Sequence, residues 1–173
     1  VPMSEHRTFK YFKEETLEKY AAQYGWTLIN DSNRKELFLD MIRQMDMSYS
    51  YKPVLIKAIL LYADDKGRIK LEDIVSYFRS YYEGRRVAGL VVEKKNSIFA
   101  KGGYTDKEAE RNILANPFKR FEDMQMLRHT KTLGIVQVDD AVWKKLTKEE
   151  KTEVERICDQ KLIEYYGRLG RET

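Results

Sequence analysis

Apolar residues recur at helical spacing over most of the chain. Phe9, Phe12, Thr16, Leu17, Tyr20 and Tyr24 follow one another every three or four residues and stop at Gly25, which predicts an amphipathic helix over about 9–23. Asn33, with Glu36 three residues on, then caps a second one through Leu37, Phe38, Met41, Ile42 and Met45 to about Met47. A third begins at Pro53 and is apolar nearly all round (Val54, Leu55, Ile56, Ala58, Ile59, Leu60, Leu61), so it must lie at the centre of the fold. Asp64-Asp65-Lys66-Gly67 stops it, and Arg68-Ile69-Lys70-Leu71 alternates as a short strand does.

Helical spacing returns over Glu72–Glu83 through Ile74, Val75, Phe78, Tyr81 and Tyr82. Residues 84–104 hold four of the nine glycines and two basic pairs, and read as an exposed excursion around Leu90-Val91-Val92. Thr105 and Glu108 form a capping box for a helix to about Ala115, and Asn116-Pro117 ends it and starts another. Met126–Thr130 and Gly134–Val138 make a β-hairpin. A short helix over Asp139–Leu146 precedes a long one, boxed by Thr147 and Glu150, that buries Val154, Ile157, Cys158, Leu162, Tyr165 and Leu169.

These elements predict one mainly helical domain over 1–173. Its parts are N-terminal helices (1–47), a core (52–138) carrying the 84–104 excursion, and C-terminal helices (139–173). From Lys52 the order is helix, short strand, helix, helix, β-hairpin, which matches the winged-helix plan, in which the third helix enters a groove of the duplex and the hairpin tip touches its backbone.

Charge sharpens this picture. The 173 residues carry 32 Lys plus Arg against 28 Asp plus Glu, a net +4, and the excess is not spread evenly. Residues 1–84 are neutral, residues 132–173 carry a net −1, and residues 85–131 carry 11 basic against 6 acidic side chains. The candidate nucleic-acid contacts are therefore Arg85, Arg86, Lys94, Lys95, Lys101, Lys107, Arg111, Lys119, Arg120, Arg128 and Lys131, with His129 beside them on the predicted wing. Contacts of this kind grip phosphates and position a duplex without reading its sequence.

Little catalytic chemistry is on offer. One Cys and two His cannot close a structural zinc site or an internal disulfide, which fits a reducing, cytoplasmic setting, and no apolar run of membrane-spanning length is present. No Gly is followed by Lys and then Ser or Thr, so the chain has no P-loop, and no cofactor or metal is expected. Glu93-Lys94-Lys95 behind Val91-Val92, with Asp73 upstream, has the residue types of a PD-(D/E)xK nuclease, in which two carboxylates hold Mg²⁺. Against that, Asp73 falls in the first turn of a helix, where an acid favours the dipole. Cys158 reads as a buried small hydrophobe, and Phe78, Tyr81 and Tyr82 as core rather than as base-stacking platforms.

The segments Ser50-Tyr51-Lys52-Pro53-Val54-Leu55-Ile56-Lys57-Ala58-Ile59-Leu60 and Leu71-Glu72-Asp73-Ile74-Val75-Ser76-Tyr77-Phe78-Arg79-Ser80-Tyr81-Tyr82 resemble a C-terminal accessory module of bacterial DEAD/DEAH-type superfamily II helicases. They are also similar to DNA-reading domains on HNH nucleases and other restriction-type proteins. The likeness spans about Leu37–Leu146. It implies a non-catalytic nucleic-acid-binding part of a larger DNA-processing or defence machine, with DNA, as a duplex rather than a single strand, as partner and a helicase motor in cis or in trans. The competing readings are a protein-interaction module of the same machinery and the Glu93/Lys95 nuclease.

Overall fold

The computed structural model describes residues 29–172, and the helix predicted over 9–23 lies outside them. The described chain is mostly helical, with one small antiparallel sheet. Its elements are α1 (Arg34–Arg43), α2 (Tyr51–Tyr62), β1 (Arg68–Lys70), α3 (Leu71–Val87), α4 (Ile98–Lys101), α5 (Asp106–Ile113), α6 (Lys119–Asp123), β2 (Leu127–Thr130), β3 (Ile135–Val138), α7 (Asp140–Trp143) and α8 (Lys148–Glu172).

The predicted centre is the observed one. Helix α2 buries Tyr51, Pro53, Val54, Leu55, Ile56, Ala58 and Ile59, and packs between α3 and α8. It starts two residues before the predicted Pro53. Proline is tolerated there because the first four helical N–H groups have no intrahelical acceptor, so nothing is lost by its missing donor. Helix α1 stops at Arg43, short of Met47, and its predicted Asn33 cap is not made: the Asn33 carboxamide oxygen instead accepts from the Asn30 amide at 2.9 Å. Both other capping boxes form. Thr105 Oγ1 accepts from Glu108 N at 3.1 Å, and Thr147 Oγ1 accepts from Glu150 N at 3.1 Å.

The strand order is β1-β3-β2, with β3 pairing antiparallel to both neighbours: Ile69 lies opposite Val136, which also lies opposite His129. A turn at Asp64–Gly67 delivers β1, and Gly67, at φ +77, closes it where Trp143 leaves no space for a side chain.

Two expectations are corrected. Helix α5 ends at Ile113 rather than Ala115, and Asn116-Pro117, joined by a cis peptide bond, does not cap the next helix. Asn116 is extended (φ −167, ψ 116) inside a wide turn over Leu114–Phe118, and α6 begins at Lys119. Secondly, 84–104 is not simply an exposed excursion. Helix α3 runs on to Val87, and the loop beyond it buries Val92, Glu93, Ser97 and Phe99.

Candidate nucleic-acid interface

The structure divides the twelve predicted contact residues among several places. Arg85 and Arg86, in the last turn of α3, fold the following loop back on the helix. Arg85 Nε donates to the Val91 carbonyl at 2.7 Å while its guanidinium lies 3.4 Å from the centre of the Tyr166 ring. Arg86 Nη2 donates to the Phe99 carbonyl at 2.7 Å and to that of Ala100 at 3.2 Å. Basic side chains there also suit the negative end of the helix dipole. Lys94 sits 5.1 Å from the centre of the Tyr49 ring, and Lys95 is exposed.

On α6, Lys119 is held by Asp123 at 2.7 Å, a hydrogen bond that raises its pKa. Arg120 lines a small groove with Lys52, Asp40 and Asp46, and burial, with the Arg120 charge as a lesser cause, lowers the Lys52 pKa. Arg128 reaches Asp139 at 3.3 Å.

Lys107, His129 and Lys131 do come together. They line an open groove of about 750 Å³ between the first turns of α3, helix α5 and the β2–β3 hairpin. Lys70 joins them, a residue that the charge count of 85–131 passed over. Leu71, Val75, Leu133 and Ile135 supply an apolar lining, and Glu72, Asp73, Asp106 and Glu110 supply carboxylates. Arg111 follows Lys107 by one turn on α5, and Lys101 lies just before that helix.

The charges around the groove differ in how they are engaged. Asp106 is paired with Arg79 at 2.9 Å, and Glu122 and Asp123 with Lys119. Lys101, Lys107, Arg111 and Lys131 are exposed and make no side-chain hydrogen bond or ion pair with another described residue. The 105–131 stretch taken alone carries six basic and five acidic residues, and at the groove Lys70, Lys107 and Lys131 stand beside Glu72, Asp73 and Glu110, none of which is in an ion pair with another described residue.

Glu93 occupies a different kind of place. It is buried, and its Oε2 accepts from the Ser50 amide at 2.8 Å and the Ser50 hydroxyl at 2.5 Å. Its Oε1 accepts from the Lys94 amide at 2.8 Å and from the Tyr165 hydroxyl. Ser50 Oγ also meets Tyr82 OH at 2.7 Å, and Tyr166 OH donates to the Val92 carbonyl at 2.7 Å. Burial pushes the Tyr82, Tyr165 and Tyr166 phenols well above the usual tyrosine range, which keeps them available as donors. Both carboxylate oxygens of Glu93 are thus taken up in tying the loop to α2 and α8, while Asp73 stands at the groove. Among the described residues no group of three or more His, Cys, Asp or Glu is placed to hold a metal ion.

Sequence reasoning weighed Glu93 as a nuclease carboxylate and missed it as an anchor. Its neighbours Ser50, Tyr82, Tyr165 and Tyr166 are up to 116 positions away from one another, so no local spacing connects them. The only available signal was a carboxylate next to an apolar run. Cys158 is buried as expected. No helix among the described residues is long and apolar enough to cross a membrane. Comparison with family models, curated proteins and solved structures returns no match.

Proposed function

We propose that this chain is a winged-helix-like accessory module that binds duplex DNA through its phosphate backbone, using α5 and the tip of the β2–β3 hairpin and performing no chemistry of its own. The observation that carries this reading is that the unpaired cations Lys107 and Lys131 line one groove with Lys70 and His129, with the unpaired Arg111 one turn after Lys107 on α5. The strand order β1-β3-β2, with α2 and α3 on either side of β1 and α5–α6 leading into the β2–β3 hairpin, supports the winged-helix assignment. The parent assembly is a helicase or restriction-type machine, as the sequence resemblance implies.

Four phosphate contacts set a scale. The logarithm of the affinity should fall with the logarithm of salt at a slope of about −3.6, a loss of roughly 100-fold between about 50 and 200 mM salt. Replacing Lys107, Arg111 and Lys131 together by Ala should flatten that slope to about −1 in an anisotropy titration with a labelled duplex. Unchanged affinity and slope in the triple variant would dismiss the assignment.

A second reading has its own support. The groove's carboxylates Glu72, Asp73 and Glu110 repel phosphate, and Leu133, 69 % exposed, stands at the hairpin tip. An apolar lining with mixed charge suits a peptide of the same machinery better than a polyanion. Under this reading duplex binding is absent at all salt concentrations, and Leu133→Asp uncouples the module from its motor.

A further inference from the structure

A second groove, of about 210 Å³, lies between α1, the start of α2 and α6, and shares no residue with the one beside the hairpin. Leu37 and Met41 of α1, Met45 just beyond it and Phe121 of α6 give it apolar walls. The Phe38 and Phe121 rings, with centroids 6.4 Å apart, hold α6 against α1. The charged lining is Asp40, Asp46, Lys52 and Arg120. Pockets for drug-sized ligands run to about 300–1,000 Å³, so this one suits a single ring or a short chain.

Lys52 sits differently from the other partly buried or paired lysines. Long basic side chains commonly lay their stems on apolar surface and end in water or on a carboxylate. Lys35, Lys57 and Lys119 do so, reaching Glu150, Asp159 and Asp123 at 3.1, 2.5 and 2.7 Å. Lys52 is partly buried, forms no ion pair with another described residue, and donates from Nζ to the backbone carbonyl of Asp46 at 2.8 Å. It is the second residue of α2, whose first turn holds no acid, so the positive end of the helix dipole disfavours its charge as well. Burial lowers its pKa; the Asp46 charge opposes that shift and the Arg120 charge adds to it. Desolvation and a neighbouring cation are the two means by which a lysine becomes a nucleophile towards carbonyl compounds.

Arg120 supplies the complementary feature. It is exposed and makes no side-chain hydrogen bond or ion pair with another described residue. Of the two acids in the lining, Asp40 is held by Arg43 at 3.1 Å, and Asp46 stands at the Lys52 side, where its own carbonyl receives the amine. An acidic group on a ligand is therefore directed to Arg120, whose planar fork matches a carboxylate through two parallel hydrogen bonds.

We propose that Lys52 captures a small aldehyde or ketone carrying a carboxylate as an imine in this groove, with Arg120 holding the carboxylate and Met41, Met45 and Phe121 covering the apolar body. The uncharged amine keeps its hydrogen bond to the Asp46 carbonyl through one N–H and attacks with its lone pair. A C–N bond forms, the carbonyl π pair moves to oxygen, and the proton given up by nitrogen passes to that oxygen. The resulting carbinolamine then breaks its C–O bond: the nitrogen lone pair forms C=N, and the hydroxyl leaves with the remaining nitrogen proton as water. No oxidant or reductant takes part, and the site is independent of duplex binding.

Borohydride trapping tests this, because it converts the imine into a stable secondary amine that peptide mapping locates. The full chain is incubated near neutral pH with para-carboxybenzaldehyde, or with benzaldehyde, and then reduced. The expected result is labelling of Lys52 by the carboxylated aldehyde severalfold above that of any other lysine, and weaker labelling of Lys52 by benzaldehyde. Arg120→Ala should remove the preference between the two aldehydes. Lys52→Arg, which keeps the charge and lacks the amine, should remove this adduct alone, with circular dichroism showing both variants folded. The map of the unaltered chain decides by itself. Labelling spread over the exposed lysines with no excess at Lys52, or capture at Lys52 that is equal for the two aldehydes, overturns the proposal.

Discussion

The Ser50 amide and hydroxyl both donate to one carboxylate oxygen of Glu93, at 2.8 and 2.5 Å, across 43 positions of sequence. The pair joins the residue that precedes the central helix α2 to the loop that leaves α3, and no cation neutralises the acid. Its charge is instead spread over four donors. Removing it by Glu93→Ala leaves a buried amide and a buried phenol without acceptors, each costing about 1–3 kcal/mol. We expect a loss of about 3 kcal/mol in all, or a melting temperature lower by about 6–12 °C. Glu93→Gln, which keeps the volume and one acceptor, should cost about half as much. Thermal melts of the two variants check the ranking, and a shift below about 2 °C for Glu93→Ala would show that the network contributes nothing net.

A second anchor joins α1 to the sheet. Arg34, buried in α1, donates from Nη1 to Asp139 at 2.9 Å, and Asp139 also receives Arg128 and caps α7 through the Ala141 amide at 2.8 Å. Asp139→Ala therefore removes a cap, about 1 kcal/mol, and deprives a buried guanidinium of its less exposed carboxylate. Arg34 keeps Asp31 at 2.7 Å and Gln125 at 3.2 Å, so the total should stay near 3 kcal/mol rather than the 3–5 of a fully orphaned buried charge plus the cap. Urea unfolding of Asp139→Ala and Asp139→Asn measures it. An unchanged midpoint in both would remove Asp139 from the account of stability.

What could be read in advance follows a physical division. Periodicity exposed α2, α3, the hairpin and α8, because each buries an amphipathic or fully apolar stretch whose spacing is local. The Thr105 and Thr147 boxes were legible for the same reason, since their partners lie three residues away. The role of the 84–104 segment was not. Its glycines and basic pairs look like solvated loop, yet Arg85 and Arg86 act on backbone carbonyls and Glu93 on side chains of distant helices. Counting charges treated those arginines as free for a polyanion. Only contacts across the fold separate them from Lys107 and Lys131, which remain available at the groove.

Gly67 and Gly89 offer a controlled comparison. Both have positive φ, +77 and +72, so either Gly→Ala change incurs the left-handed penalty of about 1–2 kcal/mol. At Gly89 a new Cβ meets nothing within 4 Å, whereas at Gly67 it would stand 2.8 Å from Cγ of the buried Trp143 ring. Gly67→Ala should thus cost about 1–3 kcal/mol more than Gly89→Ala, through displacement of Trp143 and of the Gly67 carbonyl that accepts from Val138 N at 2.8 Å. Tryptophan fluorescence during denaturation reports both the stability and the ring. Equal losses in the two variants would mean that the close approach to Trp143 relaxes without cost.

The single cysteine gives a probe of global opening. Cys158 is fully buried in α8, and burial pushes its thiol up to about 12. Only the thiolate reacts with alkylating reagents, so at about pH 8 the folded-state reactive fraction falls roughly 10³-fold below that of an ordinary cysteine near 8.5, before steric exclusion is counted. Labelling should therefore proceed through molecules in which α8 has come away from α2. Its rate should rise with urea in step with unfolding, and Glu93→Ala, which loosens the Tyr165 end of the same helix, should speed it at zero denaturant. Rapid alkylation of the native chain, independent of urea, would contradict the packing of Cys158 against α2.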